Sequence, residues 1–122
     1  MAKIMNKQKT IFLDIDGTIL YHYGIPNQQS ILELKILPGV TEKLSQWEEN
    51  GYRIIIVTSR KESERELTIK QLASIPVQYD HLIMGINRGE RIIINDVNPK
   101  HRKRGARAIN LQRNEGLSNI KL

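Results

Sequence analysis

Apolar residues are arranged along this chain in two ways, as short unbroken runs and as longer stretches at helical spacing. "TIFLD" at 10–14 is β-branched and aromatic, and an Asp-Gly pair soon breaks it. "RIIIV" at 53–57 is apolar at consecutive positions, which predicts a strand buried on both faces inside a parallel sheet. "HLIM" at 81–84 and "RIIIN" at 91–95 predict two more strands, and "ARAINL" at 106–111 a weaker one at an edge. Between the runs, "PGVTEKLSQWEENG" sets Val40, Leu44 and Trp47 on one helical face, with Pro38 near the start and Gly51 past the end. "SERELTIKQLAS" sets Leu67, Ile69 and Leu72 roughly on one face before Pro76 stops it. Strands alternating with helices predict an α/β chain: a three-layer Rossmann-like fold with a parallel central sheet, in one domain over 1–122. The less regular interval 21–37 predicts a hairpin or short flap at the sheet edge, with Tyr21 and Tyr23 as aromatics able to close over a ligand.

Composition narrows the chemistry. With no cysteine, disulfides, thiolate metal sites and thiol nucleophiles are excluded. No apolar run approaches the roughly 20 residues that span a bilayer, and the first ten residues lack a secretory core, so a soluble, cytoplasmic protein with no membrane partner is expected. A net charge of +6 suits an anionic partner, either a phosphorylated small molecule or nucleic acid. Much of the excess lies in "KHRKRGAR" at 100–107, whose plainer reading is a solvated loop. His22, His81 and His101 are too dispersed to predict a metal cluster, and Trp47 is expected in the core.

The most informative stretch is "FLDIDGTIL" at 12–20. Asp14 ends the first predicted strand at the carboxyl edge of the sheet, where α/β folds bind ligands. Asp16, two positions on, can share its side while Ile15 packs away. Two adjacent carboxylates repel, so ionising both calls for a cation or a shared proton. A hard divalent ion with oxygen ligands resolves this, and magnesium is the usual partner of phosphates. Two further apolar runs also end in polar groups: Thr58, Ser59 and Arg60 after "IIIV", and Asn95 and Asp96 after "III". Thr18 is expected to support the Gly-Thr turn with its hydroxyl.

The set "DIDGT" at 14–18, "IIIVT" at 54–58 and "IIIND" at 92–96 resembles the haloacid dehalogenase (HAD) superfamily, over most of the chain as far as about Asn98. That resemblance implies a HAD-like core with a minimal cap and a magnesium-dependent phosphatase cleaving phosphomonoesters through an aspartyl-phosphate. It implies Asp14 as nucleophile and Asp16 as general acid, the latter also lending its main-chain carbonyl to the metal. It implies Thr58, with Ser59 and neighbouring amides, as phosphate ligands, and Asp96 as the acidic magnesium ligand beside Asp14 and Asp16. Two positions depart from the family pattern. No lysine precedes the last motif, which leaves Arg88 or Arg91, with Arg88 preferred for its Gly-flanked loop. Asn95 also stands where a second acid is common, and Asn98 offers a neutral oxygen in its place. Two rival readings follow: a nucleic-acid end phosphatase using the basic run, and a non-catalytic HAD-like module that binds a phosphorylated ligand.

Overall fold

The computed structural model describes residues 8–25, 33–76, 78–100 and 103–122, with Lys103 and Arg104 by backbone alone. Chain order runs β1 (Thr10–Leu13), α1 (Val40–Glu49), β2 (Arg53–Val57), a 3₁₀ turn (Glu62–Glu64), α2 (Arg65–Leu72), β3 (His81–Ile83), β4 (Val97–Asn98) and β5 (Lys103–Arg104). The first three strands form one parallel sheet in the order β1-β2-β3, with Leu13 beside Ile56 and Val57 beside Ile83. All three carboxyl ends therefore meet at one rim. The two intervals joining these strands each hold a helix, as parallel pairing requires. The α/β class and parallel sheet read from the periodicity hold.

Helix α1 lies where its spacing places it, with Val40, Leu44 and Trp47 buried. Its end is a two-bond Schellman closure: the Tyr52 amide donates to the Trp47 carbonyl at 3.0 Å and the Gly51 amide to Glu48 at 3.0 Å. Gly51 takes φ 76°, a left-handed conformation that costs glycine little. β2 differs from expectation in degree. Ile54 and Ile56 are fully buried, whereas Ile55 and Val57 are only partly covered.

Helix α2 is turned away from the predicted face. Leu67 and Ile69 are exposed, and the buried residues are Thr68 and Leu72, one turn apart. The polar residue points inward because a buried arginine bonds its hydroxyl, as described below.

The fourth predicted strand, 91–95, is absent. Ile92, Ile93 and Ile94 lie exposed with no strand pairing, and among the described residues the edge of β1 away from β2 carries no strand. The connection explains this. A parallel neighbour to β1 needs a crossover of roughly a dozen residues or more, whereas only Met84–Glu90 separate the run from β3. Residues 106–111 form no strand either and are mostly exposed; the further pairings among the described residues are a two-residue antiparallel hairpin of β4 and β5 and isolated bridges of Leu20 with Asp16 and with Ile36. The arms of the 21–37 interval come together, Tyr21 donating to the Lys35 carbonyl and Leu37 to Ile19, both at 2.9 Å. The tip of this interval at 26–32 lies outside the described residues, as do His101 and Arg102 of the basic run.

Candidate functional site

The chain turns sharply on leaving β1. The Ile15 carbonyl accepts from the amides of Thr18, Ile19 and Leu20 at 3.1, 2.9 and 3.1 Å. Gly17 takes φ 88°, and a Cβ there would meet the Arg113 side chain at 3.1 Å. Ile15 and Ile19 are fully buried, so the apolar members of "DIDGTI" anchor the turn while Asp14 and Asp16, on either side of Ile15, stay partly exposed.

The two acids have different surroundings. The Asp14 carboxylate is about one-third exposed (35%). Thr18 donates its hydroxyl to Asp14 Oδ2 at 3.2 Å, the supporting role expected of it. An Arg91 nitrogen approaches Oδ1 at 3.4 Å, a long and weak contact. Burial pushes the Asp14 carboxyl above its ordinary value, against the opposing pull of Arg91 and of the Thr18 hydrogen bond; the Asp16 charge adds a smaller upward push.

Asp16 is held by a fork. Arg60 donates from Nε to Asp16 Oδ2 at 2.9 Å and from Nη2 to Oδ1 at 2.7 Å. Its remaining nitrogen donates to the Thr68 hydroxyl at 3.1 Å and to Gln71 Oε1 at 2.5 Å, both on α2. Arg60 is 7% exposed and Thr68 is fully buried. Removing one member of such a pair strands the other charge, typically at a cost of about 3–5 kcal/mol. The repulsion anticipated between Asp14 and Asp16 is thus relieved first by a cation of the protein itself. Sequence reading noticed Arg60 only as one of several polar groups after β2; its partner lies 44 residues away.

The other candidates are placed as follows. Thr58 is 1% exposed, and its hydroxyl accepts the Arg60 amide at 3.1 Å. Its carbonyl and amide continue the ladder towards Ile86 and Ile83. Ser59 beside it is partly exposed at the rim. Arg88 is exposed in its loop, and of the two arginines it is Arg91 that comes to Asp14. Asp96 is exposed beyond the unpaired isoleucines, and among the described residues no three acids or histidines converge on one point. The triple Asp14, Asp16 and Asp96 is therefore not assembled here, because the strand meant to carry Asp96 to the rim does not form.

A residue missed by the sequence reading sits near the opposite terminus. Asn114 accepts the His22 amide at Oδ1 (2.7 Å), donates from Nδ2 to the His22 carbonyl (2.9 Å), and donates its own amide to Gly17 (2.8 Å). The C-terminal segment thus straps the turn that carries both acids. Nothing local in "RNEGL" announces a partner 92 residues away.

Comparison with known proteins agrees with this layout. A chain of the Pnkp1/Rnl/Hen1 complex is 28% identical with a TM-score of 0.55, covering 70% of this chain and 30% of that one. The chain belongs to the HAD superfamily. This HAD chain is also 35% identical over 69 residues to an uncharacterized protein of Methanocaldococcus jannaschii, covering 57% of this chain and 70% of that relative. A Vibrio cholerae crystal structure shares the fold at 19% identity and a TM-score of 0.52, covering 77% of the HAD chain and 86% of its own. No family model matches the sequence. Among the described residues, no helix is long and apolar enough to cross a membrane.

Proposed function

We propose that this chain is a phosphomonoester hydrolase in which Asp14 attacks phosphorus and Asp16 protonates the departing alcohol. The observation that carries the reading is the division of labour between two carboxylates two residues apart. Asp14 is open at the rim and only weakly paired, as a nucleophile must be. Asp16 is fixed by two hydrogen bonds in a fork, which gives a proton donor a set position. The Asp14 oxygen forms a bond to phosphorus as the bond to the alcohol oxygen breaks, and that oxygen takes its proton from Asp16. Water, activated by the same Asp16, then releases phosphate. Thr58 and Ser59 at the end of β2 are the proposed phosphate ligands; the Thr58 hydroxyl accepts the Arg60 amide and keeps its own proton to donate. Arg91 takes the cationic role first given to Arg88.

Magnesium is the proposed cofactor. Asp14 supplies a hard oxygen donor whose charge burial leaves poorly compensated, and the main-chain carbonyl of Asp16 would be its neighbour. The described residues furnish only that part of a binding set. When bound, the ion would offset repulsion between Asp14 and the incoming phosphate. The test is a panel of phosphomonoesters with magnesium and with chelator, run beside Asp14→Asn and Asp96→Asn. Turnover that survives Asp14→Asn overturns the nucleophile. A raised magnesium requirement in Asp96→Asn means that this acid is recruited; an unchanged one removes it from the site. Binding of a phosphorylated ligand without turnover means a non-catalytic module.

A second reading is favoured by one observation, the likeness at 26% identity and a TM-score of 0.55 to a chain of the Pnkp1/Rnl/Hen1 RNA repair complex, of which this chain spans 27%. On this reading the substrate is a phosphorylated nucleic-acid end, with basic residues around the β4–β5 hairpin tracking the strand. Binding that falls steeply with salt supports it; salt-insensitive turnover of sugar phosphates counts against it.

A further inference from the structure

We infer that Arg60 is a positioning residue for proton donation to the leaving group, acting through Asp16. The inference rests on the reading of Asp16 as general acid. Arg60 is exposed to the extent of 7% and does not reach the surface where a substrate would lie. Every nitrogen of its guanidinium has a partner: two hold the carboxylate oxygens of Asp16, and the third is tied to Thr68 and Gln71. Its backbone is fixed as well, the amide by the Thr58 hydroxyl at 3.1 Å and the carbonyl by the Gly85 amide at 2.8 Å. Four bonds at the side chain and two at its backbone make Arg60 a rigid strut between α2 and the acid. A planar fork fixes a carboxyl group in both distance and rotation, which a lysine cannot do. The inward turn of Thr68 on α2, unexplained by hydrophobic spacing, serves this contact.

The chemistry supplies a readout that a merely structural role would not move. A general acid matters when the departing oxygen is strongly basic, as in an alkyl phosphate. It matters little for p-nitrophenyl phosphate, whose leaving group departs as a stable anion. General acid catalysis typically contributes about 10²–10⁴-fold. Arg60→Gln is therefore expected to lower kcat on an alkyl phosphate by about 100-fold and on p-nitrophenyl phosphate by less than about 5-fold. Arg60→Lys falls between, keeping the charge without the fork. Both substrates are assayed on one preparation of the full chain with magnesium. Loss of folded protein then lowers both rates by one factor and leaves their ratio unchanged.

Asp16→Asn is the control that separates the two levels of the inference. Selective loss in both Asp16→Asn and Arg60→Gln, with the double variant no worse than Asp16→Asn alone, supports the assignment. Selective loss in Asp16→Asn with an unchanged ratio, or a gain in rate, in Arg60→Gln overturns it and leaves the general acid standing. An unchanged ratio in Asp16→Asn, or no turnover of either phosphate by the parent protein, overturns the general acid and this inference together. Thr68→Val, which removes only a support of Arg60, is expected to shift the ratio in the same direction by a smaller factor; no shift in it overturns the role given to α2.

Discussion

Asn114→Ala is expected to destabilise the protein through a turn far from it in sequence. The residue sits at φ 66°, the one described non-glycine residue in the left-handed region. Its side chain makes two hydrogen bonds to His22, at 2.7 and 2.9 Å, in a partly buried setting. Each such bond contributes about 1 kcal/mol net. Alanine, lacking the local hydrogen bonding that lets asparagine tolerate this conformation, adds about 1 kcal/mol of backbone strain. The sum is about 3 kcal/mol for Asn114→Ala, against about 2 kcal/mol for Asn114→Gly, which loses the bonds without the strain. Urea unfolding followed by the fluorescence of buried Trp47 measures both. With a slope of about 2 kcal/mol per molar, the alanine variant's midpoint falls by about 1.5 M and the slope is unchanged. Amide exchange at His22, whose proton Asn114 accepts, should speed in both variants. Alanine and glycine variants both within about 0.5 kcal/mol of the parent would refute the strap. A glycine variant less stable than the alanine one would refute the strain component.

Two further predictions concern charge. Asp80 accepts the Ile54 amide at 2.8 Å and pairs with Arg53, and these bonds, the backbone one first, hold its carboxyl below the ordinary value of 3.8. Its stabilising contribution is present above that unfolded value and is lost as pH falls through the lower folded one, so Asp80→Ala should flatten the acid limb of a stability-against-pH curve. Asp14 runs the other way: burial raises its folded value, so stability is full below pH 3.8 and is lost as pH rises through the folded value. Asp14→Asn in chelator should therefore melt higher than the parent at pH 7 and no higher at pH 3, and with magnesium it should lack the proposed phosphatase activity.

Legibility in the sequence followed locality. The "DIDGT" turn and α1 depend on neighbours within a few residues: a glycine where φ is positive, a hydroxyl four residues from its acid, an apolar stripe closed by Gly51. Those could be read in advance. The face of α2 could not, because Thr68 is turned inward by Arg60, a residue outside the helix. "RIIIND" shows how a local pattern can mislead. Three isoleucines favour a strand wherever an edge is within reach, and reach is a property of the connection rather than of the run. The strap from Asn114 to the acidic turn, like the fork from Arg60 to Asp16, is visible only once the chain is folded.

The bare side of β1 and the isoleucines at 92–94 also bear on how the molecule behaves in concentrated solution. Among the described residues, an unpaired strand edge and an unpaired, exposed β-branched segment each invite copies to stick, by adding strands from one molecule to the next. At low ionic strength the surplus of six positive charges holds copies apart. Added electrolyte shortens the range of that repulsion while leaving the adhesive surfaces intact, so self-association is expected to rise with salt.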